Sequence, residues 1–188
     1  MTSNKAVSGK AGLSFKAQLL WTACSLVLAV AIPQILHVVG AVSGVGSSLG
    51  EVLLPMHLPI MLAGFAAGPL VGAVAGFAAP LISFALTGMP GAALLPFMMI
   101  ELCAYGLFAG LLKNVKAPAI LKVLSVQLLG RAIRAAAILI AVYAFSFDGI
   151  KVQIIWNSVV TGLLGLCLQW IIIPLAVYRI ENFNKNES

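Results

Sequence analysis

The sequence predicts an all-α membrane protein, a single bundle of six transmembrane helices with both termini in the cytoplasm. Three observations carry that prediction. Of its 188 residues, 62% are hydrophobic and 9% charged, against roughly 45–50% apolar residues in soluble domains. The mean hydropathy is +1.11, and the apolar residues fall in runs that match the roughly 20 helical residues needed to cross a hydrocarbon layer of about 30 Å. The lysines and arginines crowd at the chain ends and in a few short gaps between runs. The length suits one domain, 1–188, with cytoplasmic tails at 1–14 and 180–188. The net charge of +6 then belongs to the membrane boundary and is no nucleic-acid footprint.

Lipid cannot satisfy free N–H and C=O groups, so these runs are helices. The first span covers 15–39. A gap rich in glycine and serine, "GAVSGVGSSLGE", follows it. A second, shorter or broken helix covers 54–67, and Gly68-Pro69 turns the chain into a third at 69–87. The remaining spans cover 93–112, 119–146 and 152–178. Six spans put both ends on one side. Lys5, Lys10, Lys16, Lys113, Lys116, Lys122, Arg179 and Lys185 all fall on that side. The other side carries Glu51, Asp148 and Lys151. This asymmetry predicts that both termini are inside. The first apolar run is too long for the 7–15-residue core of a secretory signal. The loops at 40–53 and 87–94 then lie outside, where glycine-rich, nearly uncharged segments serve as pocket lids or as plain linkers.

Gly64, Gly68, Gly72 and Gly76 recur every fourth residue, and Gly106 and Gly110 repeat the spacing. Small residues in such rows let helices approach closely where lipid is the solvent. Ser25 and Ala29 form another such pair in the first span. The rows read two ways: packing within the bundle, or a smooth face (Ser25, Ala29, Gly68, Gly72, Gly76) that docks a second membrane protein.

Ionisable groups at membrane depth are costly and mark candidate functional sites. Glu101 lies about 9 Å below the outer face at about 1.5 Å per residue, and Tyr105 follows one turn later. His57 opens the second span between Pro55 and Pro59, and His37 ends the first. Asn157 and Trp156 lie in the outer third of the sixth. His57, Glu101 and Asn157 fall at similar depth and are the candidate lining of a cavity for a small, partly polar solute, with Trp156 and His37 as further candidates beside it. Glu101 reads alternatively as half of an ion pair with Arg134. Depth counting opposes that pair: Arg134 starts deeper, and helix side chains lean toward the N-terminus, here inward. Arg131 and Arg134 read on that basis as packing or coupling residues of the inner half. Cys24, Cys103 and Cys167 lie in apolar runs with no CxxC spacing, so no metal site is expected. GxxxxGK[ST], HExxH and GxSxG are all absent from the sequence, so neither catalytic residues nor a cofactor are expected.

The segment "LLPMHLPIMLAGFAAGPLVGAVAGFAAPLISFALTGMP", followed by "LPFMMIELCAYGLFAGLL", resembles the substrate-binding S components of energy-coupling-factor transporters. The likeness covers at least Leu54 to Leu112. It implies a high-affinity binder of a water-soluble vitamin or precursor in a prokaryotic plasma membrane. It also implies a transmembrane coupling subunit and two cytoplasmic ATPases as partners, and closure of the first and third loops over the pocket. The family commonly carries AxxxA in its first span where this chain has Ser25-xxx-Ala29. By position, His57, Glu101, Arg134 and Asn157 match segments that face the family's pocket. Two other classes stay open: a stand-alone transporter with Glu101 as proton carrier, and a structural membrane subunit with no ligand.

Overall fold

In the computed structural model the described residues are 13–44, 46 and 48–186, with side chains described as far as residue 179 except that of Ser48. They form helices and no strands: α1 (Phe15–Val42), α2 (Ser48–Leu53), α3 (His57–Ala67), α4 (Pro69–Thr87), α5 (Leu95–Leu112), α6 (Ala119–Phe145), α7 (Gln153–Thr161) and α8 (Leu163–Asn186). Five stretches are long and apolar enough to cross a membrane, counting Leu49–Ala67 as one. A sixth is added if α7 and α8, bent by 54° at their junction, form one broken span. The architecture is compatible with a multi-pass membrane protein. Lys5 and Lys10 lie outside the described residues, as does the side chain of Lys185.

Local sequence sets the helix ends. Ser14 caps α1 by accepting from the Ala17 amide at 3.3 Å. Gly68 adopts φ +107° between α3 and α4, a conformation open to glycine, and Pro69 takes the first turn of α4, where its missing N–H costs nothing. Gly88 ends α4 in the left-handed region. The expected spans at 69–87, 93–112 and 119–146 therefore appear within about two residues. Two expectations need correction. The 40–53 segment is no simple loop, because α1 runs on to Val42 and α2 occupies Ser48–Leu53. The segment expected as the sixth span is two helices, α7 and α8, bent by 54° where Gly162 separates them. Gly162 sits so close to Leu54 that a methyl group there would lie 2.7 Å from its Cδ1.

The small-residue rows are consumed inside the bundle. A methyl on Gly72 would overlap the backbone of Gly106, one on Gly76 the backbone of Leu102, and one on Gly110 the backbone at Pro69. These contacts bring α4 and α5 together backbone to backbone, the closest approach two helices can make. Ser25 and Ala29 are 3% and 0% exposed, turned from α1 into the core with Met56, Ile60 and Ile173. Gly68 is buried as well. None of the five residues expected to dock a partner presents a surface to one. The outward face of α1 carries Leu20, Val27, Leu28 and Ile35 instead.

Far from α2 and α7, two lysines close the opposite end of the bundle. Lys113 Nζ donates to the Ala66 carbonyl, and Lys122 Nζ donates to the Lys113 carbonyl at 3.1 Å. Both satisfy carbonyls that a helix end leaves without an intrahelical donor.

Candidate functional site

A cavity of about 470 Å³ opens at the end of the bundle that carries α2, α7 and the α4–α5 loop. That volume lies within the range of pockets that enclose small molecules, roughly 300–1,000 Å³. Every helix except α8 reaches it. Pro33 and His37 come from α1, Gly50 and Glu51 from α2, His57 from α3, Ser83 from α4, Met98 and Glu101 from α5, and Arg134 from α6. The α4–α5 loop adds Met89, Pro90 and Gly91, so both segments expected as lids contribute to the wall. The Met89–Pro90 peptide is cis.

Local backbone explains how α3 delivers His57. Leu54 precedes Pro55, which disfavours helix at the preceding residue, and the chain breaks there with Leu54 at φ +48°. A non-glycine residue at positive φ is uncommon and has to be held in place by its surroundings. The Leu54 carbonyl accepts from the His57 amide at 3.2 Å and also from Gln169 Nε2 at 3.3 Å. Gln169 Oε1 accepts from Gln127 at 3.0 Å, and Gln127 accepts from Trp170 Nε1 at 2.6 Å. This polar chain fixes the kink to α6 and α8. Helix α3 then restarts at His57 with that side chain aimed at the cavity floor.

The floor is an ionic cluster. Glu101 is 1% exposed. Its Oε2 accepts from Arg134 Nη1 at 2.9 Å, while its Oε1 lies 3.8 Å from His57 Nε2, beyond hydrogen-bond reach. His57 packs edge-on against Tyr105, with ring centroids 5.0 Å apart. Arg131, one helical turn before Arg134, donates to the Ser158 carbonyl of α7 at 3.4 Å. Several buried polar atoms here have no hydrogen-bond partner: both ring nitrogens of His57, Glu101 Oε1, Tyr105 Oη, and the Nε atoms of Arg131 and Arg134. Buried polar groups are almost always paired, so such a concentration calls for an explanation.

The ion pair corrects the depth argument. Measured from the ends that face each other across the 113–118 connection, Arg134 stands about four residues, roughly 6 Å, beyond Glu101 at about 1.5 Å per residue. Its lean toward the helix N-terminus brings it back onto the carboxylate. Counting from the opposite ends misplaced the pair because α6 is longer than α5 and overshoots it. Arg134 is thus a cavity residue, not an inner-half one.

Of the expected site residues, His37, His57, Glu101, Arg134 and Asn157 all line the cavity. Trp156 does not: it is 70% exposed on the outer side of α7. The helical period explains this. Ile154, Asn157, Ser158 and Thr161 follow the i, i+3, i+4, i+7 spacing of one face and border the cavity, which leaves Trp156 outside it. That spacing was readable in the sequence and would have identified Ser158 and Thr161. Met56, Met89 and Met98 carried no comparable signal, because their place in the wall depends on how the loops fold back. Among the described residues no group of three or more histidine, cysteine or acidic side chains could hold a metal.

Gly130 is the hidden support of this arrangement. A methyl group there would lie 2.6 Å from Cδ1 and Cε1 of Tyr105. Gly130→Ala is expected to displace the Tyr105 ring, and with it His57, costing about 1–3 kcal/mol as an overpacked core does. Thermal unfolding of the purified variant beside the unaltered chain measures that cost.

Comparison of the chain with protein-family models, with curated proteins and with solved structures finds no match. The site's chemistry therefore carries the functional argument.

Proposed function

We propose that the chain is the solute-binding membrane subunit of an energy-coupling-factor type transporter. It captures a small water-soluble vitamin or precursor at the outer face of a prokaryotic plasma membrane. Six spans, the last one broken, set both termini in the cytoplasm, and the cavity opens outward beneath the 40–53 and 87–94 segments. A transmembrane coupling subunit and two cytoplasmic ATPases drive delivery inward. One observation carries this reading: unpaired buried groups of His57, Glu101 and Arg134 meet at a cavity of about 470 Å³. A ligand-free structural subunit gains nothing from such a cluster, since each unsatisfied buried group costs about 1–3 kcal/mol. A solute that bonds to them recovers that cost on binding.

The test has two steps. The full chain is purified in lipid nanodiscs and denatured, and the small molecule it releases is identified by mass spectrometry. Uptake of that molecule is then measured in cells with and without the coupling subunit and ATPases. Binding is expected in both cases and uptake only with the partners. The buried Glu101 beside His57 also fits a proton carrier, so uptake into liposomes driven by a proton gradient alone would replace the present reading with a stand-alone transporter.

A further inference from the structure

The chemical class of the solute follows from the charge balance at the cavity floor, given that the cavity binds a solute at all. Two guanidinium groups stand against one carboxylate, Glu101: Arg134 lines the cavity, and Arg131, half-buried one helical turn before it, lies just behind the lining. Arg134 is paired with it. Arg131 has only the neutral Ser158 carbonyl, at the long distance of 3.4 Å. His57 adds no negative charge in either protonation state, so the cluster keeps at least one uncompensated positive charge in a partly desolvated place, where unpaired charge is expensive.

The remaining charges near the cavity do not cancel it. Glu51 is exposed at the rim, where water screens it, and Asp148 and Lys151 on the exposed α6–α7 connection oppose each other. The unsatisfied atoms lean the same way. The Nε atoms of Arg131 and Arg134 can only donate, His57 has two unpaired ring nitrogens of which at least one donates, and the Tyr105 hydroxyl can do either. Glu101 Oε1 is the one unpaired atom among them that can only accept.

We propose that the solute is a small monocarboxylate that also bears an O–H or N–H group. Its carboxylate accepts from Arg134 and His57 and neutralises the surplus charge, and its donor meets Glu101 Oε1. Met56, Met89 and Met98 enclose its apolar body.

Three isosteric probes test the charge preference: 4-hydroxybenzoate, 4-hydroxybenzamide and 4-hydroxybenzylamine, titrated calorimetrically into the full chain in nanodiscs against empty nanodiscs. The carboxylate is expected to bind at least tenfold tighter than the amide, and the amine weakest. Arg131→Gln should lower carboxylate affinity about tenfold and leave the amide unchanged. Glu101→Gln, which enlarges the positive surplus, should raise carboxylate affinity in whatever fraction stays folded. An amine or amide that binds tightest overturns the proposal while leaving solute binding intact, and so does a carboxylate preference that Arg131→Gln does not move. If no probe binds, the molecule released on denaturation decides: an acid supports the class, a base or a neutral compound overturns it. Release of nothing, together with no probe binding, removes the solute-binding reading as well.

Discussion

Glu101→Gln and Arg134→Gln are each expected to destabilise the chain by about 3–5 kcal/mol, and the double substitution by less than either alone. The carboxylate is buried and the guanidinium half-buried, with Nη1 and Oε2 2.9 Å apart. At an effective dielectric of about 20 their attraction is roughly 6 kcal/mol before desolvation is subtracted. Removing one partner forfeits the attraction and leaves the other charge unpaired in a largely desolvated place, which is the costly event. Removing both strands nothing. A double-mutant cycle on unfolding in nanodiscs measures the coupling, and a value near zero would show that the two side chains do not meet in the membrane. Arg134→Gln should also abolish solute binding. If it destabilised the chain while binding persisted, Arg134 would be confined to a structural role.

The second large effect lies away from the cavity. Gly72→Ala or Gly106→Ala is expected to cost about 3 kcal/mol, the upper part of the range for overpacking, because the added carbon meets backbone on the facing helix. A side chain can rotate out of the way, whereas two helix backbones can only separate, and separating them opens the whole α4–α5 seam. At roughly 2–4 °C per kcal/mol for a chain of this length, the melting temperature should fall by about 10 °C. Gly91→Ala is the internal control, since nothing lies within 4 Å of the carbon it adds. Equal melting temperatures for all three variants would show that α4 and α5 do not touch along this row.

These two predictions draw on residues that the sequence exposed to different degrees. The glycine row at 64–76 and its counterpart at 106–110 were visible as spacing alone. Spacing could not say whether they served the bundle or a partner, because a smooth helix face is the same object in both cases. Only the position of α5 decided it. Glu101, His57, Arg134 and Asn157 stood out because ionisable and amide groups are rare in apolar runs. That four segments bring them to one cavity is a tertiary fact. The pairing of Glu101 with Arg134 was obscured because depth was counted from helix ends, and α5 and α6 differ in length. Trp156 misled because closeness in sequence to Asn157 is not closeness in space on a helix.

By itself the sequence determined which segments are helical and apolar enough to cross a membrane, and most of their ends, since periodicity, glycine and proline act over a few residues. It also marked the rare polar groups such a chain must account for. The tertiary structure alone decided which small-residue faces were already occupied, how α7 and α8 bend at Gly162, and which charges meet at the cavity floor. Those outcomes depend on the relative length, height and rotation of helices distant in sequence, set by packing that no local window contains.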